Sequence, residues 1–269
     1  MRVKEINMPS HSALELDSAE KLLEVIQGIL SQGLTSLKAS CTVGEKLDSE
    51  LLDDYQFSSY QIAFSVAELA AAKSFLHYCN ESTENSYESA FALLFICDTL
   101  DNIMGRLKKI ALDVGIELES LITLENSAEY RNFLQNNRPS VISALGSLIT
   151  DQKVDRLRSG LDDEKELVRD TFYRFSDEIV APLAEKIHRE DLDIPEQIIE
   201  AASELGCFGT CIPEKFGGLQ PDNKSDSLGM IVVTEELSRG SLGAAGSLIT
   251  RPEIAARALL AGGTDSQQQ

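Results

Sequence analysis

Residues 163–190 read DEKELVRDTFYRFSDEIVAPLAEKIHRE, and residues 204–219 read ELGCFGTCIPEKFGGL. In the first stretch Val168, Phe172, Phe175, Ile179, Leu183 and Ile187 recur at intervals of three or four residues. That period puts them on one face of an α-helix, and so apolar a face has to be buried. Asp163 and Glu166 have the spacing of a capping box at its start. Pro182 falls inside the periodic run, where it removes a backbone donor and bends a helix. The apolar face continues on both sides of it, so a continuous but bent helix is expected. Pro195 opens the next helix, which ends at Gly206. From Gly206 to Gly218 the glycines and Pro213 predict a loop.

Outward from this core, an apolar helix is predicted up to Arg239 and another from near Pro252. Thr264 then sets up a further N-cap, with Gln267, Gln268 and Gln269 behind it. In the other direction, Thr150 to Gly160 (TDQKVDRLRSG) is polar and gathers Lys and Arg. It is read as a solvated connector within a linker at 151–162, in preference to a basic partner site.

Residues 1–150 show the helical period and no convincing strand alternation. Asp17 with Glu20 reads as a capping box, followed by Leu22, Ile26, Ile29 and Leu30 on one face. Ser49 is placed as the cap of a longer helix. Its stripe is Leu52, Tyr55, Ile62, Val66, Leu69 and Leu76, and Ala67, Ala70, Ala71 and Ala72 would admit a close neighbour. A third helix runs from Ser86 to Val114, stopped by Gly115. Shorter ones follow at Glu117 to Leu124, Ser127 to Asn136 and Pro139 to Ile149. The fold class expected is all-α: a helical bundle over 1–150, then a second helical domain over 163–269.

The composition excludes several functions. The 43% apolar content suits a globular core. A net charge of −20 disfavours nucleic acid and anionic membrane surfaces. No apolar run reaches membrane-span length, and residues Met1 to Ser10 lack the apolar core of a secretory signal, so a cytoplasmic location is expected. The cysteines at 41, 79, 97, 207 and 211, with His11, His77 and His188, show no metal-ligand spacing. They read as reduced, buried thiols with no metal.

The second half resembles the amino-terminal helical domain of the acyl-CoA dehydrogenases. The resemblance rests on EIVAPLAEKIHRE (178–190), ELGCFGTCIPEKFGGL (204–219), EELSRG (235–240) and LAGGTDSQQQ (260–269), in that order. A narrower resemblance is to the methylsuccinyl-CoA dehydrogenase branch, which also carries a helical extension in front. There EELSRG is followed by a short loop with GSL and then T-R-x-E-I-A-A. Here Gly246, Ser247 and Leu248 lead to Thr250, Arg251, Glu253, Ile254, Ala255 and Ala256, with Ile249 inserted and Pro252 in place of a small polar residue.

The resemblance implies α,β-dehydrogenation of an acyl-CoA thioester with FAD as cofactor. It also implies an electron acceptor such as electron-transfer flavoprotein, and a homo-oligomer when full length. In that family the flavin contacts and the catalytic base lie mainly beyond the amino-terminal domain. No catalytic residue is therefore assigned, and the chain by itself is expected neither to hold FAD nor to turn over. Glu178, Glu204, Glu235 and Glu236 are read as helix-surface carboxylates. The family's acyl pocket implies substrate-facing residues between Glu236 and Glu253, where Gly240, Gly243 and Gly246 would let backbone approach a ligand. The candidates are Arg251, Ser247, Thr250 and Arg239. Arg251 is the best placed to grip a distal carboxylate bidentately, against the alternative of a salt bridge with Glu253. A non-enzymatic helical scaffold is the competing reading of the whole.

Overall fold

The computed structural model describes residues 13–80, 86–152 and 159–269. The chain divides into two compact units, residues 1–158 and 159–269. Residues 153–158, with Lys153, Arg156 and Arg158 of the basic cluster, lie outside the described residues.

The first unit is built on α1 (Ala13–Ser40), α3 (Gln56–Asn80) and α4 (Ser86–Ile110). Leu23, Ile26 and Leu30 of α1 share one core with Ile62, Leu69 and Leu76 of α3 and with Leu93, Ile96, Leu100 and Leu107 of α4. Each such side chain, taken fully out of water, contributes roughly 1.5–3 kcal/mol. Arg106 of α4 grips both carboxylate oxygens of Glu68 on α3, with Nη2 to Oε1 at 2.8 Å. Shorter helices close the unit: α5 (Leu118–Asn126), α6 (Ala128–Phe133) and α7 (Pro139–Gln152). The one sheet among the described residues is a hairpin of β1 (Thr42–Val43) and β2 (Lys46–Leu47).

Local details differ from the sequence reading. Helix α1 already runs at Ala13, so Asp17 and Glu20 lie within it and form no capping box. Asp48, not Ser49, caps α2 (Ser49–Asp54), its Oδ1 accepting from the amides of Glu50 and Leu51 at 3.0 Å. Both side chains are competent caps, but Asp48 is the extended residue and Ser49 already has helical dihedrals, so the cap falls on Asp48. The expected long helix breaks at Tyr55, whose amide turns back to Leu52 O at 3.1 Å before α3 begins. Val66 is 43% exposed, because the buried stripe of α3 passes through Ser65, Leu69 and Ala72. Of the alanines only Ala72 faces the core; Ala67, Ala70 and Ala71 are exposed. Helix α4 ends at Ile110, four residues before the expected Val114; the chain then turns through 111–115, Gly115 holds φ +64°, and the next amide closes on Ala111 O at 2.8 Å.

In the second unit α8 (Asp163–Phe175) passes through a π-turn (Ser176–Val180) into α9 (Ala181–Glu190). The chain is helical throughout, and the amide of Ala181 bonds Ser176 O across the wide turn. Pro182 therefore sits inside a continuous helix. Its missing donor falls where the regular i→i−4 ladder is already interrupted. The cap is Asp162, which accepts from Lys165 N at 2.8 Å; Glu166 instead pairs with Arg169 and accepts from the Ser159 hydroxyl.

After α10 (Glu196–Glu204) the loop folds tightly on itself. Leu219 N bonds Gly209 O at 2.9 Å and Gln220 N bonds Ile212 O at 3.0 Å. Gly218 is obligatory here, since a Cβ would lie 2.0 Å from Ile212 O. Phe172, Phe175, Val180, Ile198, Val233, Leu237 and Ile249 form the core, with Leu183 and Ile187 packed against it.

The stretch expected as a loop between Arg239 and Pro252 is helical. Helix α11 (Ser227–Ser241) ends on an extended residue, Ser241, at φ −167° and ψ 114°. The Ser241 hydroxyl accepts from Ala244 N at 3.2 Å and starts a second π-turn (Leu242–Gly246). That turn feeds directly into α12 (Ser247–Gly262), so Pro252 lies inside this helix instead of near its start. Thr264 and Gln267 form a capping box on α13 (Asp265–Gln268).

Candidate functional site

The corner from the end of α11 to the first turns of α12 carries every residue singled out for substrate. Arg239 is held from several sides. Its Nε meets Glu236 Oε2 at 2.8 Å, Nη1 meets Asp177 Oδ1 at 2.8 Å, and Nη2 donates to Tyr173 O at 3.1 Å. The guanidinium also lies 3.9 Å from the Tyr173 ring centroid. Burial opposes its charge, but the Glu236 and Asp177 carboxylates outweigh this and hold its pKa above the ordinary value. Arg239 thus fastens α11 to α8 and its π-turn.

Ser247, Thr250 and Arg251 stand at i, i+3 and i+4 of α12 and share one face. The hydroxyls turn back on the helix, Ser247 Oγ to Gly243 O at 2.7 Å and Thr250 Oγ1 to Ser247 O at 3.1 Å. Arg251 is exposed and forms no ion pair or hydrogen bond among the described residues. Glu253, its anticipated alternative partner, is bound to Arg257 at 2.8 Å. Helix geometry explains this: residues two apart diverge, while residues four apart meet.

The glycines of this corner serve packing more than ligand approach. A Cβ at Gly240 would come within 3.0 Å of Ser176 Cβ, and one at Gly246 within 2.5 Å of Ser238 Oγ. Only Gly243 of the three faces open space.

A groove of about 460 Å³ between α11 and α12 is lined by Thr234, Glu235, Ser238, Glu253 and Arg257, with Ile231 at its side. Sequence reasoning did not single out Thr234, Ser238 or Arg257. The i, i+4 spacing of Thr234 and Ser238 is a signal, but it needs the facing helix to have meaning. Among the glutamates, Glu178, Glu204 and Glu235 are exposed as expected, whereas Glu236 is buried at 4% exposure, beside Arg239.

Cys207 and Cys211 are free and buried. Burial pushes the Cys207 thiol up to about 12 and raises Cys211 as well, so neither is a ready nucleophile. Among the described residues no His, Cys, Asp or Glu group could hold a metal ion, and no helix is long and apolar enough to cross a membrane.

Known proteins match both units. Residues 162–269 match the family model described as acyl-CoA dehydrogenase, N-terminal domain. The (2S)-methylsuccinyl-CoA dehydrogenase of Cereibacter sphaeroides is 34% identical over 265 residues, which is 94% of this chain and 47% of that protein. The match therefore reaches through the leading bundle, and the chain spans about half of that relative's length. Benzylmalonyl-CoA dehydrogenase of Aromatoleum aromaticum is 36% identical over 88 residues, 33% of this chain and 22% of that protein. Glutaryl-CoA dehydrogenase of Desulfococcus multivorans is 33% identical over 81 residues, 30% of this chain and 20% of that protein. The helices that carry Arg239 and Arg251 lie within the matched domain, and residues 162–269 belong to the acyl-CoA dehydrogenase N-terminal domain family.

Proposed function

We propose that the chain belongs to an FAD-dependent enzyme that dehydrogenates a short, branched dicarboxylic acyl-CoA across its α,β bond. In this reading α11 and α12 supply one wall of the acyl pocket, and Arg251 holds the distal carboxylate. The observation that carries it is the state of Arg251: an exposed guanidinium with no partner among the described residues, on one face with Ser247 and Thr250. Arg239, with its nitrogens engaged, is poorly available for that task. The names of the relatives support the substrate class, since methylsuccinyl, benzylmalonyl and glutaryl thioesters each keep a second carboxylate.

FAD enters the proposal through the family. At the starts of α8, α11 and the second π-turn the side chains of Asp162, Asp226 and Ser241 already take amides that a pyrophosphate would use, whereas α10 opens at Glu196 without a side-chain cap. No reaction step is assigned to residues of this chain; their contribution is to bind and orient the acyl group.

The test is kcat/KM of the full-length enzyme on a dicarboxylic acyl-CoA and on a plain acyl-CoA of similar size. Losing a desolvated, charge-assisted pair costs about 3 kcal/mol, roughly a hundredfold. Arg251→Ala should impose that loss on the dicarboxylic substrate alone, and Arg251→Lys should restore part of it. Equal losses on both substrates would show Arg251 to be structural.

A further inference from the structure

We propose that α3 is a self-association surface, through which two copies of the chain pair with their α3 helices antiparallel. Helix α3 carries two seams. One is buried in its own unit and runs through Ser58, Ile62, Ser65, Leu69, Ala72 and Leu76. The other runs through Phe57, Tyr60, Phe64, Ala67, Ala71 and Ser74, at alternating intervals of three and four residues. That is the heptad spacing with which one helix meets another. All six are exposed, the three rings by 58%, 58% and 44%. The alanines here are not spent on the packing of their own unit, and rings left half in water gain by being covered. The surface lies outside residues 162–269, which match the family domain.

The order of residues along the exposed seam identifies the occupant. Its large side chains all stand at the amino-terminal end and its small ones at the carboxy-terminal end. A parallel second copy would set ring on ring and alanine on alanine. An antiparallel copy reverses the order. The register that brings Phe64 to Ala67 of the second copy also sets Tyr60 against Ala71 and Phe57 against Ser74. Each ring then enters the gap left by a small residue, and a two-fold axis makes the pairing its own mate.

The flanks of the seam agree with this register. Gln61 faces Glu68 of the second copy, and Ala63 faces Ala70, so no like charges meet. From Gln56 to Ala72, Glu68 is the one charged residue, in a chain that is 25% charged. Its carboxylate is already held by Arg106, whose guanidinium lies 5.6 Å from the Phe64 ring centroid. The Tyr60 and Phe64 ring centroids are 4.7 Å apart. Rings braced in this way lose little freedom on docking. Three half-exposed rings and the small residues between them cover about 500 Å² on each copy. The total of about 1,000 Å² stands at the floor for a specific interface, so the dimer is reversible, with a dissociation constant in the micromolar range.

The experiment is sedimentation velocity of the 269-residue chain over a concentration series through the micromolar range. The expected result is a reversible monomer–dimer equilibrium. Ala67→Glu puts a carboxylate into the seam at an exposed position. It should weaken the dimer at least about a hundredfold, with the helical circular dichroism and melting midpoint unchanged. Phe64→Ala leaves a gap facing a gap, and Ala67→Phe sets ring against ring; each should weaken the dimer about tenfold or more. The double variant Phe64→Ala/Ala67→Phe exchanges knob and gap. It should return the dissociation constant to within about fivefold of the starting protein, because the two positions face each other. A monomer at every concentration would overturn the proposal. A dimer that Ala67→Glu leaves intact would place the contact on another surface and also overturn it. Failure of the double variant to recover would refute the antiparallel register.

Discussion

Replacing Arg239 by Ala should unfasten the two long helical segments of the second unit. The guanidinium joins α11 to α8 through Tyr173 O, to the first π-turn through Asp177, and to its own helix through Glu236. These contributions are unequal. Asp177 is 45% exposed, so its pair is screened and contributes at most about 1 kcal/mol. Glu236 has a side chain only 6% exposed. Breaking a buried pair costs about 3–5 kcal/mol, but Arg239 itself is 38% exposed, and water can follow it in part. Discounted for that access, the loss should be about 2–3 kcal/mol. With a urea slope of roughly 1–3 kcal/mol per molar, the midpoint falls by about 1 M. Because the chain has two compact units, a global melt can mix two transitions. Hydrogen exchange of peptides from α8 and α11 reads the right one. Faster exchange in those peptides, with none in α3 or α4, is the expected pattern. Glu236→Gln in the same background should recover part of the loss, because a neutral amide tolerates burial without the arginine. A destabilisation below about 0.5 kcal/mol, or no recovery in the double variant, would show that the network does not hold the helices together.

Other outcomes follow from local geometry. Asp226 caps α11 by accepting from Gly229 N at 3.0 Å and pairs with Lys165 at 3.0 Å; burial raises its pKa, but these contacts dominate and lower it. A depressed carboxylate stabilises the fold above its unfolded pKa and loses that contribution as pH falls through the folded value, so acid below about pH 4 should loosen α11. Asp226→Ala should cost about 1 kcal/mol at neutral pH and flatten this acid dependence, read by urea midpoints across pH. Gly218→Ala should cost more than about 3 kcal/mol, since its Cβ meets a carbonyl oxygen that is itself hydrogen-bonded; near-native stability would mean the loop can rearrange.

The legible parts of this chain were those governed by period. Leu22, Ile26 and Leu30, or Phe172 and Phe175, announce a buried face by spacing alone, because 3.6 residues per turn is a property of the backbone. Caps were readable only to within one residue where acids or hydroxyls adjoin: Asp48 beside Ser49, and Asp162 beside Asp163. Which neighbour becomes the cap depends on where the first helical dihedral falls, and both side chains are competent acceptors. Arg251 and Glu253 looked like a pair because they are close in sequence, yet helix geometry gives Glu253 to Arg257. The ties of Arg239 to Tyr173 and Asp177 span more than sixty positions and have no sequence signature.

The π-turn at Ser176–Val180 had a signal that the notion of a simple bent helix passes over. From Phe175 the apolar positions step by four, through Ile179 and Leu183 to Ile187. On a regular α-helix a step of four overshoots a full turn by about 40°, so three such steps drift by about 120°. Leu183 and Ile187 would then roll off the core. A π-turn takes up one extra residue and rotates everything after it back by about 100°, which keeps Leu183 and Ile187 against the same cluster as Phe172 and Phe175. The perturbation that tests this is a matched pair of length changes. Deleting the exposed Glu178 converts the wide turn to a regular one and preserves the phase of α9. Inserting Ala between Val180 and Ala181 adds a further 100° and turns Leu183 and Ile187 toward water. Each is only partly buried, so the insertion should cost about 2 kcal/mol from their exposure alone. The deletion loses no apolar contact of α9, and its penalty is confined to repacking the turn around Ser176 and Val180. Urea midpoints of the second unit, followed by hydrogen exchange in α9, should therefore place the insertion well below the deletion. Equal midpoints, or a deletion more harmful than the insertion, would mean that the π-turn exists for the contacts of Ser176 with Glu236 and Gly240 and not for the phase of the helix that follows.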